Sequence, residues 1–499
     1  MQDRAMKVLE ETLQVRADVA ADGERLYNSW LKYDIRKPYQ NSAQNLAYYM
    51  AFRQKDMRHL QEELIPWGVS SLGRLEVDVM GTLNAVSKTL SLVAGSELKD
   101  ESIDYRSMKT FENRYNLLNK HTDEIFGAGS DDRNTHILVT MPAEAAADKE
   151  MVGDMMEAGM DMARINCAHD DESVWKKMIG NIREASEESG RNCQILMDIS
   201  GPKIRIKNLL TSKRNPKLQV GEKFLLSNQE AMTLSNGIEI AINTTVPEVL
   251  SNVDKGQLVK LDDGHIEAEV VEIRDAGLVC ETVKTVKEKG VKVKTEKGVN
   301  FPDLDIRLSV LTEKDYTDLK FAAAHADVIA FSFIKSAEDI ATIEEALEKE
   351  LTEEKSELPV VAKIETAEAI DNIPSIIASG SARRPFGVMV ARGDLAVEIG
   401  YERLSEIQEE LLWICEAAHV PVIWATQVLE SLVKSGIPTR SEISDVVAGS
   451  RAECIMLNKG DYIVSGVNAV DDILKKFENH HHKKTSMLRA LNIAEQQFQ

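Results

Sequence analysis

Lys363 and Glu365 stand two residues apart at the end of Val360-Val-Ala-Lys-Ile-Glu-Thr366, a run rich in β-branched residues. Such a run predicts a strand inside a sheet covered on both faces. Side chains two apart on a strand point the same way, so the ammonium and the carboxylate share one side. Burying them there costs on the order of several kcal/mol unless they are paired or bind a ligand. Held together, they could grip an anionic substrate and a metal ion at once. Taken alone, the pair is equally well explained as a structural ion pair closing the strand end.

Other strand ends in the chain carry similar chemistry. Ala163-Arg-Ile-Asn-Cys-Ala-His169 places Arg164 and Asn166 on one side, and Met197-Asp-Ile-Ser-Gly-Pro-Lys-Ile-Arg205 carries Asp198, Lys203 and Arg205. Met389-Val-Ala-Arg-Gly-Asp-Leu395 supplies Asp394, and Trp424-Ala-Thr-Gln427 supplies Thr426. The set offers Arg and Lys for phosphate, Glu and Asp for a hard divalent cation, and a hydroxyl. Mg²⁺ commonly takes one or two carboxylates plus waters and substrate oxygens, a role that suits Glu365 and Asp394. Phosphoryl transfer is mostly positioning and charge neutralisation, so a metal flanked by cations is what that reaction needs.

These ends must be brought together by the elements that carry them. Eight strands are expected: His136–Thr140, Asp161–Cys167, Gln194–Ser200, Val328–Ile334, Val360–Thr366, Gly387–Arg392, Val420–Thr426 and Cys454–Asn458. Amphipathic helices such as Lys149–Ala158, Ser173–Ser186, Ser336–Glu350 and Glu402–Ala418 separate most of them. The alternation predicts an α/β fold, a parallel (β/α)₈ barrel occupying 131–202 and 298–478, whose active site lies at the C-terminal strand ends. Turn-punctuated β segments from 203 to 297 predict a small all-β domain inserted after strand 3. Residues 1–130 read as a helical N-terminal domain with apolar residues at three- and four-residue spacing. No catalytic constellation stands out in it, and packing or a homo-oligomer contact is its expected use. Residues 479–499 read as a tail, in which His480-His-His-Lys-Lys484 is expected to be solvated rather than metal-binding.

The composition excludes several functions. A formal net charge of −22 argues against nucleic acid, which needs a basic surface, and against anionic membranes. Hydrophobic content of 43% with 28% charged residues is ordinary for a globular protein. Cys167, Cys193, Cys280, Cys415 and Cys454 show no zinc spacing and suit a reducing compartment as small core residues. Met1 to Glu10 lacks an apolar signal region, and no window approaches a membrane span, so a cytoplasmic location is expected.

With these residues in view, the chain resembles the pyruvate kinase family from about Thr135 to Leu474. The resemblance rests on Gly159-Met-Asp-Met-Ala-Arg-Ile-Asn166, Asp198-Ile-Ser-Gly-Pro-Lys-Ile-Arg205, Lys297-Gly-Val-Asn-Phe-Pro302 and Ala362-Lys-Ile-Glu365. Met389–Leu395, Ala425-Thr-Gln-Val-Leu-Glu-Ser431 and Pro438-Thr-Arg-Ser-Glu442 continue it in order. It implies transfer of a phosphoryl group from phosphoenolpyruvate to ADP, with Mg²⁺ or Mn²⁺ as cofactor. By the same resemblance, Lys363 and Arg164 would hold the transferring phosphoryl group, and Glu365 and Asp394 the divalent metal. The amides of Gly393 and Asp394, with Thr426, would take the substrate carboxylate, and Thr426 would also stand in the proton relay. Arg205 and Lys297, with Asn166 and His169, would serve the nucleotide, the inserted domain closing as a lid. Asn166 and Asp198 match ligands of the family's monovalent cation.

The departures from the family pattern carry expectations too. Ala168 replaces a serine and Ile199 a threonine, while Lys203 stands where potassium-dependent members carry glutamate. An ammonium there can substitute for the monovalent cation, so activity without K⁺ is expected. Met456-Leu-Asn-Lys-Gly-Asp-Tyr462 lacks the family's Ser-Gly-Glu-Thr-Ala segment, and Thr140-Met-Pro-Ala143 lacks its glycine. No counterpart of the C-terminal regulatory domain is expected after Leu474. Two other functions fit the same metal pair. One is a lyase or decarboxylase acting on a 2-oxo acid; the other is a non-catalytic phosphoenolpyruvate-binding regulator.

Overall fold

In the computed structural model, the described residues are 1–486 except 131, 235–236, 305–307, 479 and 484. Eight short strands close a barrel: His136–Thr140, Met162–Asn166, Gln194–Ile199, Val328–Phe331, Val360–Ile364, Phe386–Ala391, Val422–Ala425 and Cys454–Leu457. Each pairs in parallel with its sequence neighbours, and the first closes on the eighth in the register His136 with Cys454. The strands are almost wholly buried because helices cover them outside while side chains fill the interior. Leu138, Met162, Leu196, Val361, Met389, Ile423 and Met456 belong to one buried cluster in that interior. Ile125 and Phe126, at the end of helix Leu117–Phe126, join the same cluster.

Period-two alternation then dictates the chemistry. Arg164 lies two residues beyond Met162, Asp198 two beyond Leu196, and Lys363 two beyond Val361. Each polar residue therefore faces the same way as an interior apolar one, a layer nearer the C-terminal ends. The charged set is the top layer of the barrel core.

Between the third and fourth strands the chain forms a seven-stranded sheet and a two-stranded one. A separate apolar core that includes Ile206, Phe224, Leu226, Ile242, Val259 and Val270 holds them. Entry and exit run side by side, with Arg205 bridged to Gly298 and the Val299 amide donating to the Ile204 carbonyl at 2.8 Å.

The N-terminal helices Gln2–Trp30, Lys37–Arg53 and Val79–Ala94 pack on one another and against the barrel helices Ile373–Arg383 and Tyr401–Ala417. Asp78 caps the third through the Gly81 amide. Buried, hydrogen-bonded polar groups help to build the seam. Asn45 donates to the Glu76 and Ala417 carbonyls at 2.6 and 2.8 Å and accepts from the Val79 amide at 2.9 Å. His419 lies between Ser42 Oγ (3.1 Å) and the Val77 carbonyl (3.0 Å), and its own carbonyl meets the His121 ring at 2.7 Å. At the other end, Lys483 is packed against Glu453, although most of 479–499 lies outside the described residues. All five cysteines are free and buried, as small core residues. Among the described residues, no helix is long and apolar enough to cross a membrane.

The seam makes stability depend on pH. Burial holds His419 down at about 3, the nearby His121 and Arg114 adding to the effect against the Val77 hydrogen bond. An unfolded histidine titrates near 6.5, so the folded chain binds fewer protons, and stability present above pH 6.5 is lost as pH falls toward 3. We expect the urea midpoint to fall between pH 7 and pH 5, His419 accounting for about 2 kcal/mol. In His419→Gln the fall should be correspondingly shallower.

Candidate active site

A carboxylate at the centre of the barrel mouth organises the site. Asp198 Oδ2 accepts from Arg164 Nε and Nη2 at 2.9 and 2.6 Å and lies 3.3 Å from Lys363 Nζ. Asp198 is 1% exposed. Burial alone would raise its pKa, but the charges of Lys363 and Arg164 more than offset this and hold it below the ordinary carboxylate range. Arg164 Nη1 donates to Thr140 Oγ1 at 2.9 Å, and Lys363 Nζ donates to Ser332 Oγ at 2.7 Å. Five consecutive strand ends, the first to the fifth, thus hold the two cations side by side. Lys363 Nζ also lies 3.3 Å from Glu365 Oε1, whose other oxygen accepts the Phe333 amide at 2.7 Å. Burial, reinforced by the charge of Asp394 against the pull of Lys363, raises the Glu365 carboxyl above its usual value.

The sixth and seventh strand ends supply the opposite wall. Helix Arg392–Ile399 starts directly on the sixth strand, so the amides of Gly393 and Asp394 belong to its first turn, where the positive end of the helix dipole favours an anion. A Cβ on Gly393 would come within 2.7 Å of Thr426 Cγ2, so only glycine lets the hydroxyl side chain approach that turn. Thr426 and Gln427 both have left-handed backbones, at φ 72° and 60°, a strain of about 1–3 kcal/mol each for such residues. Arg392 clamps this turn: it donates to the Ala425 and Thr426 carbonyls at 2.9 and 2.7 Å, pairs with Asp445 at 2.8 Å, and lies over the Trp424 ring.

The inserted domain closes the third side. Lys297 Nζ lies 2.7 Å from Asp262, and Lys203 Nζ lies 2.5 Å from Asp394 Oδ1 and 3.6 Å from Asp263. Burial would lower Lys203, but Asp394 and Asp263 outweigh it and keep the ammonium above its usual value. Arg205 Nη1 is tied to the Glu296 carbonyl at 2.9 Å. A cavity of about 550 Å³ opens beside Arg164, lined by Thr140, Asn166, His169 and Lys297 among others. Arg205 does not line it, although its charge, after burial and that of Lys459, helps hold His169 below the usual histidine value. Asn166 Oδ1 accepts the Ala168 amide at 3.1 Å, leaving that oxygen partly used.

The chemistry of the donor set limits the metal that it could hold. Among the described residues no group of three His, Cys, Asp or Glu side chains is arranged to hold an ion. Glu365 and Asp394 are two carboxylates close enough to repel, which suits an ion that takes only one or two protein ligands.

Residues 132–467 match the family described as pyruvate kinase, barrel domain. The chain belongs to the pyruvate kinase family. It is 37% identical over 355 residues to the pyruvate kinase of Geobacillus stearothermophilus, covering 69% of this chain and 57% of that protein. It is 31% identical over 362 residues to that of Thermotoga maritima, covering 72% and 73%. For the Bacillus licheniformis pyruvate kinase the figure is 34% over 371 residues, covering 72% of this chain and 60% of that protein. The match therefore spans less than two thirds of the length of the Geobacillus and Bacillus pyruvate kinases.

Within this family fold, four site-building residues escape sequence reasoning: Ser332, Thr140, Arg392 and Asp263. Ser332 follows Val328–Phe331 and carries the same signal as the other strand ends, a polar residue just past an apolar run. Asp263 lies in a hairpin turn, and nothing local marks it as a neighbour of Lys203. The structure places Lys203 on Asp394 and Asp263 rather than between Asn166 and Asp198. Truncating Asp198 would leave Arg164 and Lys363 buried without their shared carboxylate. We expect Asp198→Ala to lose about 3–5 kcal/mol of folding stability by urea denaturation, against under about 1 kcal/mol for Lys476→Ala, whose pair with Asp472 is largely exposed.

Proposed function

We propose that the chain transfers a phosphoryl group from phosphoenolpyruvate to ADP, giving pyruvate and ATP. The observation that carries this is the buried Arg164–Asp198–Lys363–Glu365 array at the barrel mouth, which family membership supports. Arg164 and Lys363 are oriented by Asp198, Thr140 and Ser332, so their positive charge is set in place before a phosphoryl group arrives. The helix turn at Gly393 and Asp394 binds the substrate carboxylate, and Thr426 stands beside it to pass a proton to the enolate carbon. Glu365 and Asp394 would hold Mg²⁺ or Mn²⁺, which when bound neutralises phosphate charge. Lys297 and Arg205 lie on the inserted domain's side, with Asn166 and His169 across the cavity, to receive the nucleotide phosphates. Closure of that domain excludes water from the transferring group.

Potassium independence belongs to the same proposal. Ala168 offers no hydroxyl, Asp198 is already shared by two cations, and Lys203 adds a fixed positive charge to the site. The division into a helical region 1–130, a barrel of 131–202 and 298–478, an inserted domain 203–297 and a tail 479–499 is likewise proposed. The separate apolar core of the inserted segment supports it. We also propose that the protein acts in the cytoplasm.

A coupled assay with phosphoenolpyruvate, ADP and Mg²⁺ tests the function. Pyruvate and ATP should form together, and Lys363→Met should lower the rate by at least about 10²–10³-fold. Pyruvate from oxaloacetate without nucleotide, or phosphoenolpyruvate binding with no turnover, would sink the kinase assignment. Replacing K⁺ by choline should leave the rate nearly unchanged; loss of activity restored by K⁺ would refute the independence.

A further inference from the structure

A band of lysines on the inserted domain takes no part in the site described above. Residues 284–297 carry six lysines against two glutamates, and an earlier stretch adds Lys213, Arg214 and Lys217. The two stretches run antiparallel: Val291 pairs with Leu218 and Lys292 with Lys217, and the Val293 amide donates to the Pro216 carbonyl at 2.8 Å. Leu218, Val291 and Val293 are buried in the domain's own core, so alternation turns Lys217, Lys292 and Lys294 outward. A turn closed by the Gly290 amide on the Lys287 carbonyl at 2.9 Å adds Lys287 and Lys289. Lys213 pairs with Glu222 and Glu239, and Lys284 with Glu267. Among the described residues, Arg214, Lys217, Lys287, Lys289, Lys292 and Lys294 have no carboxylate within ion-pair reach. Like charges directly opposite on paired strands are destabilising, so Lys217 and Lys292 face each other at a cost to the fold.

The band ends at the nucleotide cavity. Lys297, its last member, lines that cavity with Arg164, Asn166 and His169. Lys294 and Lys292 precede Lys297 by three and five positions, spans of at most about 11 and about 18 Å. The screening length is about 8 Å at physiological ionic strength and about 30 Å at 0.01 M, so their field reaches the cavity. The molecule as a whole opposes it, with a formal net charge of −22 that repels an anion at long range. We propose that Lys217, Lys287, Lys289, Lys292 and Lys294 form a steering surface that draws a nucleoside diphosphate to the cavity against that repulsion. This rests on the reading of the cavity as the nucleotide site. The band acts on encounter rather than on chemistry: cations beside a cleft raise the local concentration of an anion and its association rate. Glu288 and Glu296 weaken the field without reversing it.

In the full chain, Lys287→Gln, Lys289→Gln, Lys292→Gln and Lys294→Gln together replace exposed side chains and leave the cavity lining intact. Stopped-flow binding of N-methylanthraniloyl-ADP should show association slowed about tenfold at about 0.01 M salt, with dissociation unchanged. At about 1 M salt, where the screening length is about 3 Å, variant and parent should associate equally fast. Turnover at saturating ADP should not change. Removing the same charge through Lys32→Gln, Lys37→Gln, Lys99→Gln and Lys109→Gln, all exposed on the N-terminal region, should slow association less than about twofold. Lys292→Gln alone should not lower the urea midpoint, since it relieves the repulsion across the ribbon. Association left unchanged at low salt by the four inserted-domain substitutions, or slowed as much by the N-terminal set, would overturn the steering alone. A parent chain that binds no labelled nucleotide would overturn the reading of the cavity with it.

Discussion

The site depends on Asp198 being buried between two cations. A carboxylate at the centre of a barrel core is costly to desolvate, and a lone one would take up a proton. Arg164 and Lys363 prevent that, and the dependence is mutual, because both buried cations lean on the carboxylate that they share. The pairing is therefore structural and functional at once. It keeps the top layer of the core folded, and it leaves two positive groups fixed, aimed and only partly neutralised. In the proposed reaction the phosphoryl group completes their neutralisation.

Closed parallel geometry is what makes the pairing affordable. Neighbouring strands are parallel and staggered, Arg164 lying opposite Leu196 and Asn166 opposite Asp198, and Arg164, Asp198 and Lys363, each two residues beyond an interior apolar side chain, meet at one end of the barrel. The apolar layer beneath them, with Ile125 and Phe126 in the same cluster, seals the interior against water. The N-terminal helices bear on this from outside: through Asn45 and His419 they bind the loop that leads into the seventh strand, seven residues before Thr426. Charged groups join the same seam, Arg36 pairing with Glu357 and Arg53 lying over the Trp413 ring, which fits a supporting role.

The most distinctive local feature is the lysine at 203. Where a carboxylate would add negative charge between barrel and inserted domain, this chain places an ammonium between Asp394 and Asp263. The electrostatics of the mouth are thus set by four cations (Arg164, Lys203, Lys297 and Lys363) facing carboxylates that each already have a partner.

Much of this was legible in the residues. Alternating apolar runs and amphipathic segments determine eight strands and the interruption after the third, because those periods follow from local backbone geometry. Polar residues at strand ends determine Arg164, Asp198, Lys363, Glu365, Asp394 and Thr426 as candidates, since buried charge demands a reason. Only the tertiary structure decided which of them touch. Ser332 and Thr140 became partners of Lys363 and Arg164 through strand register, and Arg392 became the clamp on Thr426 through the helix start. Lys203 went to Asp394 and Asp263 because the entry segment of the inserted domain places it there, between residues 191 and 60 positions away in the chain. Contact across such separations is set by how strands close and domains fold back, and a local pattern of residues contains no record of it.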